Sequence, residues 1–410
     1  MPGEKLSLYI HIPFCIKKCN YCDFLSFPTG GRNTPLAESY AEALLREAEA
    51  LRGGCLSLNE DGGVEVGTSG TGAACREGCH VNINKPIKSI YFGGGTPNIL
   101  NSEWIVRVLC KLNEIFTIDE AAEVSIELNP GVYEENERHR ELTDLRAAGI
   151  NRISMGLQSV QLPELKRLGR IHDLTAFLRL YEEALNCGFE NINVDLMTGI
   201  PLQTCDTFAR TLERVLELRP KHISAYSLII EEGTPFGEAD LKSLDLPEEE
   251  EEYEIYLMTR RILEQAGYRR YEISNYALPG YECAHNLVYW DREDYLGLGL
   301  GAASLIGDLR FSNTKELNKY LAAPGRTREN IQRLSQQEAM EEFMFLGLRK
   351  TAGVRKADFK RMFGRELEEV YGEIIEKQVG LSLMEEGRDG VRLTERGMDA
   401  ANEVMAKFLL

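Results

Sequence analysis

Three cysteines stand close together in "HIPFCIKKCNYCDF", residues 11–24: Cys15, Cys19 and Cys22, with Phe24 two places beyond the last. Thiolates at such spacing are metal ligands before they are anything else. One option is zinc, with His11 or Asp23 as the fourth ligand. Structural zinc sites, however, commonly draw their ligand pairs from two separate knuckles, whereas all three thiols here share one loop. The other option is a 4Fe–4S cluster held by three thiolates, one iron of which stays open to the amino and carboxylate groups of a small molecule.

Something must hold that loop. Short runs rich in β-branched and aromatic residues recur along the chain: "LSLYIHI" (6–12), "KSIYF" (88–92), "EVSIEL" (123–128), "INRISM" (150–155), "NINVDLM" (191–197) and "HISAYSLII" (222–230). Between them, apolar residues fall at three-and-four spacing, as in 44–51, 104–115 and 208–218. The alternation predicts parallel strands joined by helical crossovers, with chemistry at the carboxyl ends of the strands. The cysteines, "GGGTP", Glu127, Gln158 and Asp195 all lie at or near those ends, so one rim is expected to gather one site.

Residues 53–86 interrupt the pattern with a stretch dense in Gly, Ser, Asn and Thr, expected to be a mobile insertion. Within it Cys75, Cys79 and His80 form "CREGCH", one residue too long for c-type heme attachment. Glu248–Glu252 follow Pro247 and suit the first turn of a helix, where carboxylates meet the positive end of the macrodipole. The expected organisation is a core over 1–240, a middle segment over 241–325 and a helical unit over 326–410. The "EGRDG" near the end marks a hairpin tip, so that last unit is expected to be winged-helix-like. Its residues 330–410 carry 13 basic against 15 acidic residues, which argues against a nucleic-acid face.

The whole chain of 410 residues carries a net charge of −18, opposing non-specific attraction to nucleic acid or anionic membrane. No apolar run approaches the ~20 residues that span a bilayer, and the chain opens without a secretory leader pattern. A cytoplasmic protein with no integral membrane segment is expected. In that reducing setting the ten cysteines are expected to supply metal ligands and buried thiols rather than disulfides; Cys110, Cys187, Cys205 and Cys283 are expected to be inert.

The three-cysteine loop on the first strand, followed by "GGGTP" on the second, resembles the radical S-adenosylmethionine superfamily. "YIHIPFC", "GLQS", "LGRIHD", "NVDLMTGIP" and "YEISNYA" narrow the resemblance to the branch that contains oxygen-independent coproporphyrinogen III oxidase. The resemblance implies a partial parallel (β/α)6 TIM-like barrel in the α/β class, a 4Fe–4S cluster on Cys15, Cys19 and Cys22, and bound S-adenosylmethionine. It assigns Tyr9, Tyr21, Gly94, Gly95, Thr96 and Glu127 to the neighbourhood of that cofactor, and Gln158, Arg170 and Asp195 to a second S-adenosylmethionine. An electron donor protein is implied as a partner.

Phe24 departs from the oxidases, which carry a further cysteine there. Heme chaperones of the same branch share "CDF" and a His-Asn-X-X-Tyr-Trp motif, present here as His285, Asn286, Tyr289 and Trp290. The resemblance therefore implies heme binding at that motif and delivery to a heme-acceptor protein. The rival functions are coproporphyrinogen oxidation and a zinc-stabilised scaffold.

Overall fold

The computed structural model describes residues 3–58, 64–67 and 80–409. Six strands, β1 (Leu6–Ile12), β2 (Ile87–Gly94), β3 (Ile118–Leu128), β4 (Arg152–Gln158), β5 (Asn191–Thr198) and β6 (His222–Ser227), pair in parallel in chain order. The crossovers are α1 (Pro35–Ala50), α2 (Ser102–Ile115), α3 (Arg138–Ala147), α4 (Leu162–Arg167) with α5 (Leu174–Asn186), and α6 (Cys205–Leu218). Thr34, Asn101, Asp173 and Thr204 start four of these helices by accepting a backbone N–H of the first turn.

A seventh parallel strand, β7 (Tyr295–Leu298), lies against β1, in register from Ser7 opposite Tyr295. The six-stranded expectation missed it because a four-residue run carries little periodicity. It covers an edge of β1 that would otherwise expose unpaired N–H and C=O groups. The sheet has 12 strands in an open order, with antiparallel strands outside β6 and β7.

The strands alternate cleanly although the sheet is parallel. Leu8, Ile90, Ile126, Ile153, Val194 and Ile223 turn to the helices and are buried. The inner face is polar: Tyr9 opposes Tyr91, Ser125 opposes Arg152, Ser154 opposes Asn193, and Asp195 opposes Ser224. One apolar core spans Leu6 to Tyr320, and a second is built from residues 339–408. That second unit carries the expected wing, Met384–Glu386 paired antiparallel with Gly390–Leu393. The acidic run heads the helix Glu249–Gln265, as its position after Pro247 predicts.

Inside the insertion, strands Cys55–Leu58, Val64–Gly67 and His80–Asn82 form a three-stranded antiparallel sheet, so part of it is ordered backbone rather than coil. The "CREGCH" segment lies outside the described residues apart from the backbone of His80.

Glu47 of α1 ties the first crossover to the strands beyond β7. Fully buried, it accepts from Gly299 N (2.8 Å), Asn313 Nδ2 (2.7 Å) and Tyr320 Oη (2.7 Å). Glu47→Ala would leave buried Gly299 N and Tyr320 Oη without this acceptor and Asn313 Nδ2 with the Gly299 carbonyl alone. The expected loss in urea denaturation is ~3–5 kcal/mol, against less than ~0.5 kcal/mol for exposed Glu42→Ala.

Candidate functional site

The loop after β1 is held on both sides. His11 Nε2 meets the Leu25 carbonyl at 2.9 Å and so bears the proton, leaving Nδ1 to accept from Tyr9 Oη at 3.0 Å. Asn20 donates its side-chain amide to Arg167 O, and its backbone N–H to Leu168 O. These ties set Cys15, Cys19 and Cys22 at the mouth of a cavity of about 530 Å³ at the carboxyl ends of the parallel strands. Tyr21, Gly94, Gly95 and Thr96 line the same cavity, as do Glu127, Gln158, Arg170 and Asp195. Tyr9 does not: it lies behind the wall, its ring beside that of Tyr91 at 6.4 Å.

Donors point at the sulfurs. Thr96 Oγ1 donates to Cys15 Sγ at 3.4 Å, and Arg170 Nη1 to Cys19 Sγ at 3.6 Å. Burial pushes the Cys15 and Cys22 thiols above the ordinary range, so a metal must displace protons to bind them. Among the described residues, the group of three or more His, Cys, Asp and Glu ligand atoms converging within 4.8 Å is His139, Glu183 and Cys187. His11, with both ring nitrogens engaged, is not placed as a zinc ligand.

The glycine triplet has local reasons. A Cβ at Gly94, φ +113°, would sit 2.5 Å from the His11 ring, and one at Gly95 would sit 2.7 Å from the Phe14 carbonyl oxygen. The close approach is therefore to β1 and its loop. Gln158 adopts φ +69° at the end of β4, where its side-chain oxygen accepts from Tyr226 Oη at 3.0 Å. Such a conformation costs a non-glycine residue ~1 kcal/mol or more and persists where neighbours enforce it.

Charge in the cavity is unevenly neutralised. Burial, aided by Asp195, pushes Glu127 up to about 7, although Tyr91 Oη donates to it at 2.9 Å. Burial also raises Asp195, which accepts from Asn193 at 2.7 Å and Ser154 at 3.0 Å. Arg170 spends its Nη atoms on Asn129, the Gly156 carbonyl and Cys19.

The histidine motif forms the helix Ala284–Trp290 beneath the cavity. Its first N–H groups are capped from inside the barrel, Ala284 N and His285 N both donating to Glu123. His285 is 1% exposed. Ser89 spends its proton on Ser7, so His285 Nδ1 donates to Ser89 at 2.8 Å and Nε2 accepts from Tyr289 Oη at 3.1 Å. Burial depresses its basicity to about 3. Asn286 alone of the four motif residues lines the cavity; Trp290 lies under the Arg349 guanidinium, 4.5 Å from its ring centre, toward the C-terminal unit.

Comparison with known proteins agrees with this architecture. The Radical SAM superfamily model matches residues 75–215, and the HemN C-terminal domain model matches 334–399. The heme chaperone HemW of Lactococcus lactis subsp. lactis (strain IL1403) is 34% identical over 98% of this chain and 97% of its own; that of Bacillus subtilis (strain 168) is 34% identical over 98% and 99%. The chain belongs to the HemW family. The crystallised coproporphyrinogen III oxidase HemN of Escherichia coli superposes with TM-score 0.79 at 25% identity, over 100% of this chain and 91% of that one.

The sequence singled out Phe24 and placed Asn129 on the rim, but Ile229, Tyr91, Ser154, Asn193 and Arg152 were overlooked. Phe24 is 69% exposed at the cavity mouth, with Ile229 equally exposed on the same lining. Tyr91, Asn129, Ser154, Asn193 and Arg152 also line the cavity. Each sits at an inward position of a strand or just past its end, a signal visible only as polar residues alternating with apolar ones. Cys283, expected to be inert, is buried and donates its thiol to Glu123 at 3.3 Å.

A titration follows for this HemW-family chain. Because Glu127 is raised from 4.5 to about 7, its contribution to stability is present below pH 4.5 and lost as pH rises through about 7. From about pH 5 to about pH 7.5 the metal-free protein should lose roughly 2 kcal/mol more than Glu127→Gln in urea denaturation. Parallel curves would assign the pH dependence elsewhere.

Proposed function

We propose that this HemW-family protein is a heme chaperone that holds a 4Fe–4S cluster on Cys15, Cys19 and Cys22, binds S-adenosylmethionine in the adjoining cavity, and passes heme to an acceptor protein. One observation carries it: among the described residues three thiols, and no fourth, stand at the mouth of the cavity, with exposed Phe24 two residues past the last. The residues fit the cofactors. Sulfur-directed donors from Thr96 and Arg170 suit thiolates, the cavity volume is in the range of small-ligand sites, and Glu127 faces it as an acceptor for an ammonium or ribose hydroxyl.

When bound, the cluster supplies one-electron reduction, drawn from an electron donor protein. The chain's own residues do the rest. Gly94, Gly95 and Thr96 border the cofactor, while Gln158, Arg170 and Asp195 provide polar contacts on the opposite strands, where a second S-adenosylmethionine is assigned. Tyr21 covers the cluster loop, and Tyr9 acts at one remove by holding His11. Heme is assigned to the helix Ala284–Trp290, with Asn286, Tyr289 and Trp290 beside His285. His285 would hold the iron through Nε2, the nitrogen that here accepts from the Tyr289 hydroxyl. Its depressed basicity keeps that nitrogen unprotonated at neutral pH.

Coproporphyrinogen oxidation is the second function to be weighed, favoured by the 0.79 superposition on the bacterial oxidase. Anaerobic incubation of the reconstituted protein with reductant, S-adenosylmethionine and coproporphyrinogen III distinguishes them. The expected result is no protoporphyrinogen; formation over many turnovers would overturn the chaperone role. Heme titration at the Soret band should show stoichiometric binding, weakened about tenfold or more by His285→Ala if this imidazole holds the iron. Unchanged affinity would move the iron ligand elsewhere. Cys19→Ser should abolish iron and sulfide incorporation while leaving the circular dichroism of the barrel intact, because the loop contributes little to the core.

A further inference from the structure

We propose that the floor of the cavity is a carboxylate subsite whose receptor is the Arg152 guanidinium. The inference rests on the proposed ligands, since S-adenosylmethionine and heme both carry carboxylates. Arg152 opens β4, is 2% exposed, and lines the cavity. It makes no hydrogen bond to any described residue, and its Nε is buried without a partner. A guanidinium has five N–H donors in a planar fork. Buried cations are retained where something meets those donors.

Nothing in the wall does so. Glu123 spends its oxygens on Ala284 N, His285 N and the Cys283 thiol. Asp195 is taken by Asn193 and Ser154, and Glu127 accepts from Tyr91. These acids, with Tyr91 and Tyr271 near by, keep Arg152 a cation without occupying its donors. The imidazoles of His222 and His285 are held neutral by burial, so no second cation competes at this end of the cavity. Arg170, toward the cluster loop, has both Nη atoms engaged, and its Nε alone is left without a partner. Asn275 adds a complementary group: its side-chain nitrogen is committed to Glu272, while its buried Oδ1, on the same cavity lining, lacks a donor. A guanidinium fork and an unfilled amide acceptor on one cavity lining match a ligand that carries a carboxylate and, elsewhere, an N–H or O–H donor.

Two sources share that chemistry, the aminocarboxylate of the second S-adenosylmethionine, that of the first being directed to the cluster at the mouth, and a propionate of the tetrapyrrole. Four probes separate them on cluster-reconstituted protein: S-adenosylmethionine and its decarboxylated form by equilibrium dialysis, iron mesoporphyrin IX and its dimethyl ester by absorbance titration. Arg152→Gln should weaken one free acid about tenfold or more and leave its carboxylate-free counterpart within about twofold. Loss confined to the sulfonium pair identifies the aminocarboxylate; loss confined to the porphyrin pair identifies a propionate. Arg152→Lys, which keeps the charge and loses the fork, should fall between.

Unchanged affinities, or equal weakening of an acid and its blocked counterpart, would overturn the subsite. If Arg152→Gln does not fold by circular dichroism, the wild type and Arg152→Lys decide. Selectivity for the free acid that Lys diminishes supports the subsite; absence of selectivity overturns it. A wild type that binds none of the four removes the proposed function itself, an outcome distinct from loss of selectivity alone.

Discussion

Polar side chains that turn into the middle of a barrel must find hydrogen-bond partners there, because only the cavity admits solvent to that face. The alternation of the seven parallel strands places Ser7, Tyr9, Tyr91, Glu123, Arg152, Ser154, Asn193, Asp195 and His222 on it. Most satisfy one another: His222 Nδ1 with Asn193 at 2.6 Å, Ser89 with Ser7 at 2.9 Å, Tyr9 with His11 at 3.0 Å. A network so completely paired is rigid, and in a low dielectric each pairing is worth more than it would be in water. The exceptions then gain meaning. Arg152 Nε, Arg170 Nε and Asn275 Oδ1 lack partners, and all three residues line the one cavity the network surrounds.

The helix Ala284–Trp290 joins that network to the rest of the molecule. Its N-terminus is anchored by Glu123, its His285 stacks on Tyr91 with ring centres 5.1 Å apart, and Tyr91 in turn reaches Glu127. At the other end Lys350 pairs with Asp291, and Arg292 pairs with Asp308 and Glu342. The second core, residues 339–408, is thus linked to the residues under the cavity through this short helix and through Tyr271 and Glu272, which meet Thr351 and Lys350. A ligand that shifts this helix would be felt both at Glu127 and at the C-terminal unit, through contacts that are packed and hydrogen-bonded throughout.

Much of the architecture was legible because strands and crossover helices announce themselves by period. β1 coincides with "LSLYIHI", and the wing with the arms of "EGRDG". The cysteine loop was legible because three thiols at that spacing have few uses. β7 was not, being four residues whose role is set by the exposed edge of β1. The burial of His285 was legible from its chemistry, since a lone histidine among aromatics reads first as a satisfied core residue, and only the family resemblance pointed to heme instead. Arg152 within "INRISM" was marked by no motif; that it faces inward without a partner depends on tertiary pairings such as that of Glu123 with Cys283, 160 positions further along the chain.

The amino-acid sequence by itself determined the chemistry available: three thiols without a fourth, a glycine triplet, and a run of strands whose ends would gather them, because ligand spacing and hydrophobic period are local properties. Tertiary structure alone decided which of those groups remain free to act. Burial and partner choice depend on strands brought together from across the chain, and they leave His285 fully bonded, Glu127 poised near neutrality and the Arg152 donors unspent.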